Sequence, residues 1–190
     1  MTRLPFARLS ATALAMALLA TPLATGAHGH NGRPNAATDA TGETIVAKAS
    51  ATEDFSTLVT ALQAARLVDT LNGAGPFTVF APTNAAFDRL PDGTVETLVQ
   101  PRNRAQLTRI LTYHVVPGRL MASDVVNAVR AGGGRATFTT VAGVELTARY
   151  NAHGQLVLVD ATGGTSRISA TDITQSNGVI HVIDRVVMPG

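Results

Sequence analysis

Residues 75 to 90, GPFTVFAPTNAAFDRL, constrain the fold most, because their pattern changes from that of a strand to that of a helix. Residues 77–80 are aromatic or β-branched, which favours a strand. Pro82 cannot donate a hydrogen bond to a sheet, so the strand must end there, and Thr83 is placed to cap the helix that follows. This stretch therefore predicts a strand, a tight turn and a helix.

Three segments resemble those of the fasciclin domain family, and they occur in the order that the family shows. Residues 78–87, TVFAPTNAAF, resemble its first signature segment, and residues 111–118, LTYHVVPG, resemble its central segment. Residues 177–189, NGVIHVIDRVVMP, resemble its second signature segment. The resemblance implies an α+β fold, a wedge of two β-sheets with several α-helices packed along one side, in which the first signature strand pairs with the last.

A single domain over residues 43–190 is predicted to follow an export signal. Arg3 and Arg8 precede an apolar run that ends in small residues, which predicts a cleaved secretory signal peptide over residues 1–27. Residues 28–42 lack large apolar side chains and are predicted to form a disordered linker. The protein is therefore expected to be secreted, either periplasmic or extracellular.

The charge balance and the lack of cysteine exclude one class of partner and several kinds of chemistry. Cleavage would remove two of the 15 basic residues and leave 13 against 13 acidic ones, so no nucleic-acid partner is expected. The chain contains no cysteine, which excludes disulfides, a thiol nucleophile and a lipidated cysteine. A monomer without membrane insertion is expected after signal cleavage.

Helical periodicity dominates the first half of the domain and strand periodicity the second, which independently predicts an α+β domain. Apolar residues recur at helical spacing over residues 55–62 and 107–115, and Thr52 and Ser123 are predicted helix caps. Residues 144–150 alternate between apolar and polar side chains, as does a strand with one solvated face. Further strands are predicted at residues 136–141, 156–159, 167–173 and 179–187.

Tyr113 and His114 are the first candidate partner-binding residues. The resemblance implies that this pair, with flanking Leu111, Val115 and Val116, contacts cell-surface receptors of the integrin type. The residues themselves favour another role for His114, which continues an apolar helix face and is predicted to be a core histidine whose ring nitrogens bind backbone groups. Ligand and core interpretations of His114 remain open at this point.

Asp172 and Ile173 are the second candidate pair. The resemblance implies an adhesive Asp-Ile dipeptide just before the second signature segment, which is where this pair stands. The alternative is that Asp172 is a turn residue that caps local backbone donors ahead of residues 177–178.

The sequence contains none of the common hydrolase, nucleotide-binding or zinc motifs. A catalytic base within the domain would have to be His114 or His181, although His181 is predicted to pack on a sheet face. If cleavage follows residue 27, then His28 and His30 of the new N-terminus could supply the square-planar nitrogen ligands that Cu(II) prefers. No other metal and no cofactor is predicted.

These observations predict a secreted, non-enzymatic interaction module that binds a matrix, cell-surface or envelope partner, either protein or glycan. One alternative is a carrier of an apolar ligand such as a carotenoid, because some fasciclin-like proteins hold such pigments. The other alternative is a hydrolase that uses His114 or His181.

Overall fold

The computed structural model describes residues 42–190, so the predicted signal peptide, nearly all of the linker, and His28 and His30 lie outside the described residues. Most helices of the described part precede most strands, as the periodicity predicts. The helices are α1 (Ile45–Ser50), α2 (Ser56–Ala65), α3 (Val68–Asn72), α4 (Asn84–Phe87), α5 (Thr94–Leu98), α6 (Arg104–Tyr113) and α7 (Ala122–Ala131). Short 3-10 helices at Glu53–Phe55 and Pro101–Asn103 lead into α2 and α6.

The strands form two sheets that share one long strand, which confirms the predicted α+β fold. They are β1 (Phe77–Pro82), β2 (Val115–Pro117), β3 (Arg135–Thr139), β4 (Glu145–Tyr150), β5 (Leu156–Val159), β6 (Thr165–Gln175) and β7 (Gly178–Ile183). Their order is β2-β1-β7-β6-β5-β4-β3. The first residues of β6 pair with β5 and its later residues pair with β7. As predicted, β1 pairs with β7, and this pair is parallel.

The strands at the two ends of this order, β2 and β3, lie close to each other. Beyond β3, the amide of Val141 donates to the carbonyl of Val115 at 2.8 Å, and that of Ala142 donates to Thr112 at 3.3 Å. The curled sheets and α7 thereby enclose one apolar cluster, the inner core, which comprises Phe80, Tyr113, Val116, Val125, Val129, Leu146, Ala148, Leu158, Ile183 and Val187.

A second apolar cluster, the helical core, lies between the sheet and the helices of the first half. Its members include Ile45, Phe55, Leu58, Leu62, Leu71, Val79, Phe87, Leu98, Leu107, Ile110, Leu111, Val115 and Ile180. Within β1, Val79 belongs to this cluster and its neighbour Phe80 to the inner core. A strand between two cores must be apolar on both faces, which explains the unbroken apolar run of the first signature segment.

The start of α2 corrects one predicted cap. Thr52 makes no capping hydrogen bond, because its hydroxyl donates instead to the carbonyl of Lys48. The cap comes from Asn84, whose Oδ1 accepts the amide of Thr57 at 3.1 Å and whose Nδ2 donates to the carbonyl of Glu53. Thr83 stands at the N-cap position of α4, as predicted, but likewise forms no side-chain cap bond.

Candidate partner-binding residues

The Tyr113–His114 pair lies at the end of α6, directly before β2. Leu107, Ile110 and Leu111 form the buried face of α6, and this face leads into the pair. Tyr113 is 0% and His114 2% exposed, so neither side chain is available to a partner in this conformation. The helical periodicity therefore predicted the burial of His114 correctly.

Backbone groups engage both ring nitrogens of His114. Nδ1 lies 2.8 Å from the carbonyl of Ile110, and Nε2 lies 3.2 Å from the amide nitrogen of Val187. These partners assign the proton to Nδ1, because Nε2 must accept. Burial lowers the pKa of His114 to about 4, so the ring is neutral at pH 7. The core interpretation of His114 is confirmed.

Tyr113 joins three segments through its hydroxyl. The hydroxyl donates to the carbonyl of Glu145 in β4 at 2.8 Å and accepts the amide of Ala161, in the β5–β6 loop, at 3.1 Å. Burial raises the pKa of Tyr113, with a smaller opposing effect from the Ala161 hydrogen bond. The tyrosine–histidine pair thus holds α6 against β4 and against the segment that contains Val187.

Asp172 and Ile173 lie inside β6, where the pairing with β7 is irregular, and not in a turn. The expected local capping role of Asp172 is therefore wrong. Its φ of 60° is tolerated because aspartate adopts the left-handed region more readily than most residues. Its Oδ1 accepts the amide of Ala122 at 2.7 Å, so it caps α7 from a distant strand. Ser123 is not that cap, because α7 begins at Ala122.

His181 links Asp172 to the segment that precedes α7. Its ring stacks on Phe80 at a centroid distance of 5.5 Å, and the side chain is 1% exposed, which confirms the predicted sheet packing. Nε2 lies 2.8 Å from the carbonyl of Leu120, and Nδ1 accepts the amide of Asp172 at 3.3 Å. As in His114, both ring nitrogens of His181 form hydrogen bonds with backbone groups.

Sequence reasoning missed three polar side chains that hold distant backbone segments. The buried hydroxyl of Thr78 donates to the carbonyl of Gly118 at 2.7 Å and accepts the amide of Leu120 at 2.9 Å. Asn177 accepts the amide of Ile45 at 3.0 Å and donates to the carbonyl of Leu71 at 2.6 Å. These two residues and Asn84 all lie within signature segments. Their occurrence in otherwise apolar motifs was the available signal, since a polar residue there must find a buried partner.

Within residues 42–190, no group of three or more histidine, cysteine or acidic side chains could hold a metal ion. In the same range, no helix is both long and apolar enough to span a bilayer.

Comparisons with known proteins agree with this architecture. The profile of the Fasciclin domain family matches residues 53–189. Protein sll1483 of Synechocystis is 47% identical over 154 residues, which cover 81% of this chain and 77% of that protein. The cell surface glycolipoprotein MPB83 of Mycobacterium bovis is 35% identical over 150 residues, which cover 76% of this chain and 60% of that protein.

A solved structure shows the same fold. A domain pair from the insect cell adhesion molecule fasciclin I superposes with a TM-score of 0.65 at 20% identity. The match covers 75% of this chain and 50% of that chain, so this protein spans about half the length of the pair.

Proposed function

The chain belongs to the fasciclin domain family, and from this premise we propose that it acts outside the cytoplasm as a non-enzymatic interaction module. Its partner is a matrix, cell-surface or envelope component. The observation that carries the proposal is the 35% identity to a protein named as a cell surface glycolipoprotein. The buried side chains of Tyr113, His114 and His181 support it, because their hydrogen bonds to backbone groups hold several segments of the domain together.

The histidine geometry weighs against the hydrolase alternative. A general base must reach the proton that it removes, yet His114 and His181 each use both ring nitrogens on backbone groups. Activation of either ring would require these contacts to break.

Saturable binding to the native envelope tests the proposal. Labelled full chain is titrated onto envelope fragments, and unlabelled chain is added as competitor. We expect a plateau and complete displacement by the competitor. Retention that rises linearly and resists competition would contradict an interaction role.

A second candidate, the carrier of an elongated apolar ligand, is favoured by one groove. This groove has a volume of about 520 Å³ and lies between α5, α6 and the C-terminal segment, with Leu98, Ile110, Met188 and Pro189 in its lining. Mostly apolar clefts of this size suit small-molecule ligands. Visible absorption that stays with the chain through gel filtration, either as purified or after addition of carotenoid, would favour it. A chain that elutes colourless in both cases would count against it.

A further inference from the structure

The outer face of strands β3 to β6, opposite the inner core, carries arginines in a single row. Arg135 of β3 lies directly opposite Arg149 of β4, Arg149 lies opposite Val157 of β5, and Val157 lies opposite Arg167 of β6. We call these residues the arginine row. The adjacent row consists of Thr137, Thr147, Val159 and Thr165, and we call it the threonine row.

Arg135 and Arg149 form a like-charge cross-strand pair, which destabilises a sheet. Both are exposed, and neither has a carboxylate within ion-pair distance among residues 42–190. Arg167 does have one, because its Nε lies 3.0 Å from Asp184, but the same carboxylate also binds Arg89 at 3.2 Å. The row therefore carries a net positive charge.

Val157 shows how these arginines lie on the sheet. It is completely buried, yet it belongs to neither apolar core. Long arginine side chains cover apolar neighbours with their aliphatic stems while the charged ends stay in water. Arg149 and Arg167 flank Val157 in the row, so their stems are placed to cover it and to hold the guanidinium groups over this face.

The same face is concave. A groove of about 950 Å³ is lined by Arg135, Arg149, Thr147 and Val159, and also by the acidic residues Glu145 and Asp160. Glu145 is four residues from Arg149 along β4, about 13 Å away at the rise of a strand. The carboxylate of Asp160 already accepts hydrogen bonds from residues 162, 164 and 188. The arginine end of the groove is therefore positive, with no acidic side chain in its row.

We infer that the arginine row binds a polysaccharide that carries carboxylates. The row extends about 14 Å across three strand spacings, a length that several linked sugar rings span. Guanidinium groups bind carboxylates through paired hydrogen bonds, and the threonine row offers hydroxyls to the sugar rings. This inference rests on the proposed interaction function and gives its partner a chemical class.

A nucleic acid fits this face less well. Binding of single strands relies on aromatic side chains that stack on the bases. Phe138 of β3 packs against the inner core, and Tyr150 of β4, which also packs there in part, is the single aromatic residue among those that line the groove. The outer face thus offers cations and hydroxyls, which are the groups that an acidic sugar polymer uses.

Fluorescence anisotropy with labelled oligogalacturonate tests the inference on the full chain. We expect saturable binding that weakens as salt is raised, and a loss of at least about tenfold in affinity in the R135Q/R149Q variant. R102Q/R109Q is the matched control, because it removes two exposed arginines from the helical side. The control should stay within about twofold of wild type. The R135Q/R149Q variant should also melt at or above the wild-type temperature, because a like-charge pair is removed.

Several results would overturn the inference. They are unchanged binding by R135Q/R149Q, an equal loss in R102Q/R109Q, or equally good competition by neutral dextran. Tighter binding of a single-stranded DNA oligomer would assign the row to nucleic acid, and binding of heparin fragments alone would replace carboxylate by sulfate. If the chain is retained on envelope fragments but does not bind oligogalacturonate, the proposed function stands and this inference fails.

Discussion

The Tyr113–His114 segment and the Asp172–Ile173 segment have the same implied function, receptor contact, but very different environments. The first pair is almost completely buried, and all its side-chain polar atoms contact backbone groups. The second pair is half-buried in an irregular strand, where Asp172 caps a distant helix. Of the two, only the Asp172 segment could contact a partner without unfolding. A motif can therefore identify a family through the residues that hold its fold together.

Replacement of His114 by alanine should have the largest effect in this comparison. The change opens a cavity and leaves the Ile110 carbonyl and the Val187 amide without their partner. We expect a loss of about 2 to 4 kcal/mol in the free energy of unfolding, measured by urea denaturation. His153, which is exposed in a turn, is the matched control, and H153A should stay within about 0.5 kcal/mol of wild type. An H114A protein as stable as wild type would remove the distinction between the two segments.

Protonation of His114 should lower the free energy of unfolding at a higher pH than that at which the carboxylates titrate. The unfolded histidine gains its proton near pH 6.5, whereas the folded one stays neutral down to about pH 4. Stability is therefore complete above pH 6.5 and falls as the pH drops, by about 3 kcal/mol between pH 7 and pH 4. Partial burial opposes the ionisation of Asp184, but backbone and side-chain hydrogen bonds from Arg167 lower the pKa of this carboxyl overall. Asp184 should therefore lose its contribution to stability only at more acidic pH. Urea midpoints across this range would test the slope, which H153A should retain. A flat profile would contradict the buried, neutral ring.

Removal of the Tyr113 hydroxyl isolates its hydrogen bonds from its packing. Y113F keeps the ring but leaves the Glu145 carbonyl and the Ala161 amide without their partner. We expect a loss of about 1 to 3 kcal/mol in urea denaturation. A change below about 0.5 kcal/mol would show that water replaces the hydroxyl and can therefore reach this buried segment.

Substitution of Asp172 should have the smallest effect on stability and the clearest effect on binding. D172A removes the acceptor for the Ala122 amide, so it should cost about 1 kcal/mol, whereas D172N keeps an acceptor oxygen and should cost less. If partner contact runs through this dipeptide, D172N should keep its melting temperature and lose retention on envelope fragments. H114A should lose both. Retention by D172N at the wild-type level would exclude the dipeptide as the contact.

The sequence predicted those features that depend on local pattern. The strand at residues 77–80, the buried face of α6 and the alternation of β4 each follow from apolar spacing within one segment. It failed where a distant residue decides the outcome. Asn84 and Asp172 replace the predicted caps Thr52 and Ser123, and neither contact can be inferred from nearby residues. The arginine row was equally hidden, because it depends on the register of four strands.

The parallel pairing of β1 with β7 determines when this protein can fold. Phe77 meets Gly178, so the centre of the sheet joins segments from the two ends of the domain. Until the last strand has been synthesised, β1 lacks its partner on that side, and such non-local pairing makes folding slow. The centre of the sheet therefore cannot be completed until most of the domain has been synthesised. This delay suits a chain predicted to be exported, because a translocation channel for unfolded polypeptides could accept it before the sheet closes.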